Sequence, residues 1–294
     1  LIFGAAFAGV ASAVSAAPVT LLATGFESTG SPAYALNHTL KNYNSWTESG
    51  SGTATISNIA PETGSQDLLM TPYSAGTASF FYQNLTTPAA TATAAGDTLI
   101  TSLASVAITA PASGTVTSGI VAGIQEYNAN LATDPAYMVI EYDPNYATDG
   151  DGLTAAWDLE AAYNTSSGFY GFDYTFPNIA NTFAAGENLY FDLGIVDDTV
   201  NDVFTFTLGG TELFDSATDG GPTPGTLAST YGTALLYDFR VTTTGTTGRA
   251  LVDNYSVVAS APIPEPTAAM AVLPLAAAAT LRRRRHVPVL ILRN

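Results

Sequence analysis

Two acidic pairs stand out in a chain otherwise sparing with charge. Glu141-Tyr142-Asp143 and Asp158-Leu159-Glu160 each carry carboxylates at i and i+2, which a pleated strand turns to the same side. Two carboxyls on one face, roughly 5 Å apart and in different protonation states, are the equipment of a retaining glycosidase. After the first pair, however, Asn145 stands where a third acid would be needed, and Pro144 would interrupt a central strand's ladder. The pairs therefore read as exposed carboxylates beside turns, and the chain is expected not to be an enzyme.

Other reactive side chains are scarce. There is no cysteine, so neither a disulfide framework nor a thiolate metal site is available. The only histidines are His38 and His286, and no nucleophile-elbow sequence accompanies His38, which reads as a loop residue. Asp149-Gly150-Asp151-Gly152 lacks the spaced acids and closing glutamate of a calcium loop and reads as a turn, as does the acidic stretch containing Asp197, Asp198 and Asp202. Asn37, Asn84 and Asn164 each open a glycosylation-type triplet.

Aromatic side chains are plentiful, with 15 Tyr and 14 Phe, and they suit the stacking of sugar rings. Tyr163, Phe169, Tyr170, Phe172, Tyr174 and Phe176 crowd one segment with aromatics of both parities. One parity is expected to be core and the other to pave a sheet. Trp157 and Tyr170 are the candidate ligand-binding residues.

Charge narrows the partners. The net charge is −17, yet five of the eight basic residues lie at the C-terminal end. Upstream of Pro264, Lys41, Arg240 and Arg249 stand against 24 acidic residues, a net of −21. Such a body has no clustered lysine or arginine with which to neutralise phosphates, so nucleic acid is excluded as a partner. It repels its own copies and attracts cations.

The elements that must carry these residues are strands. Leu189, Phe191, Leu193 and Ile195 alternate with smaller or polar residues, and so do Phe204, Phe206 and Leu208. With the Gly209-Gly210 turn into Thr211 to Phe214, they make a three-stranded meander. Further strands are predicted at Val19 to Phe26, Thr53 to Asn58, Gln66 to Thr71, Ala78 to Gln83, Thr98 to Thr109, Gly119 to Tyr127, Tyr137 to Tyr142, Thr154 to Ala162, Gly168 to Thr175, Thr233 to Thr242 and Arg249 to Val258. Thr86 to Ala95 and Asp219 to Ser229 read as loops. The pattern predicts an all-β fold, one antiparallel β-sandwich over residues 18–260, with no internal repeat.

A resemblance sharpens that prediction. Gly25-Phe26-Glu27, Tyr34, Trp46 and Gly64-Ser65-Gln66-Asp67-Leu68, together with the closing Leu251-Val252-Asp253-Asn254-Tyr255, resemble the concanavalin-like and carbohydrate-binding-module jelly rolls. The resemblance implies a structural Ca²⁺ between the first and last strands, held by Glu27 and Asp253. Two carboxylates with backbone carbonyls suit the hard-oxygen preference of that ion. Glu141 and Asp143 also resemble the first half of the Glu-x-Asp-x-Glu strand of concanavalin-like endoglucanases.

The two ends write an address. Leu1 to Ala17 is apolar and closes in small residues, and it reads as a partial signal peptide. At the other end, Pro264-Glu265-Pro266 precedes fifteen apolar residues, Thr267 to Leu281, and then Arg282, Arg283, Arg284 and Arg285. As a helix those fifteen rise about 22 Å, short of the roughly 30 Å hydrocarbon core. The result is a marginal anchor with its arginines on the cytoplasmic side. This order resembles the PEP-CTERM sorting domain, over residues 261–286, followed by an irregular tail, 287–294. The resemblance implies an exosortase-type processing enzyme as partner, transient residence in the inner membrane and release to the cell surface or extracellular matrix. The expectation is an exported, non-enzymatic protein associated with extracellular polysaccharide. The alternatives are a secreted glycan-cleaving enzyme and a structural adhesion module.

Overall fold

The structure, a computed structural model, describes residues 17–50, 52–71, 79–109, 119–127, 136–143, 156–176, 179, 188–222, 224, 232–240 and 249–262. Ala16–Ala261 form one compact unit. The expected C-terminal helix, the Pro264-Glu265-Pro266 motif, the arginine cluster and Asp149 to Gly152 fall outside the described residues, as do Pro144 and Asn145. No helix among the described residues is long and apolar enough to cross a membrane.

The body is an all-β antiparallel sandwich of the predicted jelly-roll type. One sheet, here sheet A, contains β1 (Val19–Thr24), β3 (Thr53–Ser57), β4 (Asp67–Thr71), β6 (Leu99–Thr109), β11 (Asn188–Asp198), β12 (Val203–Leu208), β13 (Thr211–Asp215) and β15 (Arg249–Ser260). They run in the order β13-β12-β11-β6-β15-β4-β3, with β1 also paired to β15. Sheet B contains β2 (Thr47–Ser49), β5 (Ser79–Asn84), β7 (Gly119–Tyr127), β8 (Ala136–Tyr142), β9 (Trp157–Thr165), β10 (Gly168–Thr175) and β14 (Gly232–Arg240), in the order β10-β9-β8-β7-β14-β5-β2.

Alternation builds the core. Ile100, Ala104, Val106 and Ile108 of β6 and Leu193 and Ile195 of β11 face inward from sheet A, and Ile120, Ala122, Ile124, Met138, Ile140, Trp157, Leu159 and Tyr163 from sheet B. Each large apolar side chain buried this way contributes about 1.5–3 kcal/mol. The meander β11-β12-β13 closes through Gly209 and Gly210, both at positive φ (57° and 75°), the conformation a tight primed hairpin turn requires.

Two elements escaped the sequence pattern. Thr86 to Ala95, read above as a loop, contains helix α1 (Thr86–Ala94). Threonine and proline are poor helix formers, but Pro88 sits in the first turn, where its missing N–H has no intrahelical role. Burial of Leu85, Ala89 and Ala92 then holds the turn pair in place. The strand β2, of three residues, is too short for a period to register.

Candidate functional site

The outer face of sheet B gathers the acidic pairs into a grid. On adjacent strands Glu141 lies opposite Asp158 and Asp158 opposite Thr175; Val139 lies opposite Glu160 and Glu160 opposite Asp173; Tyr137 lies opposite Ala162 and Ala162 opposite Gly171. Directly opposed Cβ atoms in such ladders stand about 4.5–5.5 Å apart, so four carboxylates share a small patch over three strands. The patch is graded in depth. Asp158 and Glu141 are only 2% and 5% exposed, Glu160 is half-buried and Asp173 is open to solvent. The sequence reading had the first two exposed beside turns. They are almost wholly buried instead.

Asp158 bears the largest electrostatic load of the patch. Burial pushes the Asp158 carboxyl up to about 6, helped by the negative charges of Asp173 and Glu160 and opposed by the Leu159 N–H and the Thr175 hydroxyl. Its Oδ1 has no hydrogen-bond partner. A buried acceptor left unmatched costs about 1–3 kcal/mol.

Beside the acids lies an aromatic step. Phe169, 55% exposed, rests against Tyr137 with ring centroids 5.9 Å apart at 53°, and the Tyr137 hydroxyl donates to Glu160 Oε1. Next to it Gly171 leaves the surface low; a Cβ there would press on Ala162 Cβ at 3.2 Å and Ala161 O at 3.3 Å. Phe169 belongs to the aromatic cluster visible in the sequence but not to the two ligand-binding candidates, and Tyr137 and Asp173 were not singled out. Parity along β10 separates Phe169 and Asp173 from Tyr170, but only the strand register shows which parity meets Glu160.

The two ligand-binding candidates from the sequence fall elsewhere. Trp157 is 1% exposed and packs in the core against Tyr142 (4.9 Å) and Phe191 (5.8 Å). It shares β9 with Asp158 and Glu160 but has the opposite parity, so acids facing out require it to face in. Tyr170, 36% exposed, has the inward parity and lies on Tyr163 (5.5 Å) and Phe214 (5.9 Å) at the rim.

The acids on the outer face of sheet A are arranged differently. Glu27 and Asp253 flank Gly25, whose added Cβ would stand 3.7 Å from Glu27 Cγ and 3.5 Å from Asp253 Oδ1. Glu27 accepts from Ser65 N (2.7 Å), Ser65 Oγ (2.7 Å) and Gln66 N (2.9 Å). Burial works upward on its carboxyl, but these hydrogen bonds outweigh it and hold the pKa below the usual value. Asp253 accepts from Thr63 N (2.9 Å), Thr63 Oγ1 (3.4 Å) and Asn254 N (2.7 Å), with burial raising its pKa. Asp67 takes Ala60 N (2.9 Å) and the Ser57 hydroxyl, and Tyr190 donates to Ala60 O (2.7 Å). A β-bulge between Asp253 and Ser256, with Asn254 at φ 50°, lets both Val252 and Tyr255 face the core while Asp253 reaches out to the loop.

Calcium between Glu27 and Asp253 must meet this donor set. Six hydrogen bonds already use their oxygens, leaving one lone pair each on Glu27 Oε2 and Asp253 Oδ1. Calcium takes six to eight oxygen ligands, so the balance would come from backbone carbonyls and water. Among the described residues no group of three or more His, Asp or Glu stands together as a metal set.

The turn acids also part company. Asp198 accepts from Val200 N, Asn201 N and Asn201 Nδ2, capping its own turn. Asp197 points into the core, where neither oxygen finds a hydrogen-bond partner. Burial, then the charges of Glu126, Asp198 and Asp202, raise its pKa well above the usual carboxylate range. His38 is exposed and stacks on Tyr43 at 4.9 Å, an ordinary loop contact.

No family model matches this chain, and no curated protein matches it. Solved structures of similar shape include a carbohydrate esterase from the Shiga toxin-encoding bacteriophage phi24B (16% identity, 83% of this chain and 99% of that one, TM-score 0.47). Others are the endo-beta-1,3-glucanase from Pyrococcus furiosus (10%, 84% and 96%, 0.46) and the carbohydrate recognition domain of Emp47p (7%, 74% and 90%, 0.42). At these scores the likenesses assign no activity.

Proposed function

We propose that this chain is an exported, non-enzymatic protein that binds extracellular polysaccharide on the outer face of sheet B. The observation that carries the reading is the exposed Phe169 resting on Tyr137, with Glu160 and Asp173 alongside. Sugars present C–H faces that stack on aromatic rings and hydroxyls that need acceptors, and this patch offers both. Export rests on the sequence of the two ends, with an exosortase-type enzyme cutting near Pro264-Glu265-Pro266. Mass spectrometry of the surface-released protein tests that part, an intact cytosolic chain being the contrary result.

Affinity electrophoresis against a panel of polysaccharides tests the binding. Retention on at least one is expected and should disappear in Phe169→Ala; no retention across the panel would favour a purely structural module. A second reading, glycan cleavage, has one observation in its favour: Asp158, its carboxyl pushed up to about 6, faces a second carboxyl, Glu141, and paired carboxyls are what acid–base hydrolysis uses. Against it, both carboxyls are almost wholly covered. New reducing ends that vanish in Glu141→Gln would establish cleavage over binding.

A further inference from the structure

The patch on sheet B has a sign as well as a shape. Its carboxylates, Glu141, Asp158, Glu160 and Asp173, belong to three neighbouring strands. Strands β7, β8, β9 and β10 contain no lysine, arginine or histidine at all. The one basic residue of the sheet's seven strands is Arg240, at the end of β14, which pairs with β7 and so lies two strands from β8. Asp158 is nearly buried, and the carboxylates of the patch that a ligand can reach are the half-buried Glu160 and the exposed Asp173. A uronate or sulfated glycan would bring more negative charge to a body already at −21 and would be repelled. A neutral sugar supplies hydroxyl donors but no countercharge, whereas an ammonium group supplies both.

We infer that the glycan taken by the Phe169–Tyr137 face is one bearing protonated amino sugars, with Asp173 and Glu160 receiving the ammonium groups and Phe169 stacking on the ring. The inference rests on the binding reading above and specifies its ligand class. Each exposed ion pair is worth about threefold in affinity, so two together give roughly tenfold discrimination at low salt.

The probes are de-N-acetylated chito-oligosaccharides, their fully N-acetylated counterparts and oligo-uronates, measured by isothermal titration on the intact protein. The deacetylated oligomer is expected to bind about tenfold tighter than the acetylated one, with the advantage collapsing in high salt. Asp173→Asn should weaken the deacetylated oligomer several-fold and leave the acetylated one unchanged. Glu212→Gln, on the exposed edge strand β13 of the other sheet, should change neither. Equal losses in Asp173→Asn and Glu212→Gln would show general attraction to an acidic body and overturn the inference. Equal binding of acetylated and deacetylated oligomers, abolished in Phe169→Ala, would overturn the inference and leave the binding reading standing. Binding of none of the three would overturn the inference, while the binding reading falls only if retention also fails across the polysaccharide panel.

Discussion

The outer faces of the two sheets are both acidic, and they treat their acids in opposite ways. On sheet A, Glu27, Asp67 and Asp253 each receive N–H or hydroxyl donors from the loop between β3 and β4, so the charges are consumed in holding that loop down. On sheet B, Asp158 keeps an oxygen with no partner, and burial, joined by the charges of Asp173 and Glu160, raises its pKa against the Leu159 N–H and Thr175 hydroxyl. Carboxylates matched by their own chain are accounted for by folding. Glu160 and Asp173, more exposed and beside an open aromatic ring, can be reached from outside.

Substitutions can break that contrast. The largest effect is expected at Trp157, one residue before Asp158 but on the core side: Trp157→Ala should cost about 3–5 kcal/mol in chemical denaturation. A cost below ~1 kcal/mol would return it to the surface as a sugar platform. Next comes Asp253→Ala, which strips the loop of its buried acceptor and should cost about 2–3 kcal/mol. Asp158→Asn should cost nothing comparable, and a loss as large as that of Asp253→Ala would erase the distinction between the faces.

A pH series sharpens it. Asp158 has a folded-state pKa of about 6, above its unfolded value, so its protonation favours the fold fully below about pH 4 and that contribution fades as pH rises through 6. Thermal melts of the wild type should therefore fall over this window, and less steeply in Asp158→Asn. The remaining slope belongs to Asp197 and Asp253, whose shifts have the same sign. Glu27 acts the other way: its pKa is lowered, so its contribution is present at neutral pH and lost as pH falls through the folded value. A wild-type slope that Asp158→Asn leaves unchanged would contradict the strain assigned to this group. Smallest of all is the effect of EDTA. With six hydrogen bonds on Glu27 and Asp253, melting should not move, and a drop reversed by calcium would give these residues a cation instead.

How far the sequence could be read follows the range of each signal. Period-two alternation is local, so the strands and the meander stood out, whereas α1 did not: its Thr- and Pro-rich stretch looks like a loop until Ala89 and Ala92 are seen buried. The scattered residues of the jelly-roll resemblance converge on one place. Phe26, Tyr34, Trp46 and Tyr255 form a packed aromatic cluster, with centroids 5.4 Å apart for Phe26 and Tyr34 and 5.9 Å for Trp46 and Tyr255. Glu27 and Asp253 stand at its edge. That motif was legible because it is built into the ends of the chain's strands. The sheet B patch was only half legible: the acidic pairs showed in β8 and β9, but Tyr137, Phe169 and Asp173 join them only through cross-strand register, which no single segment encodes.

Carboxyl footprinting tests the contrast most directly. The protein is labelled with a carbodiimide and an amine, with and without a retained polysaccharide, and modification is read by mass spectrometry. Bound glycan should shield Asp173 and Glu160 while leaving as reactive as before Glu27 and Glu62, an exposed acid of the loop between β3 and β4 that accepts from Asn254 Nδ2 (3.0 Å). Shielding at Glu27 and Glu62, with Asp173 and Glu160 unaffected, would move the ligand to sheet A and contradict the account.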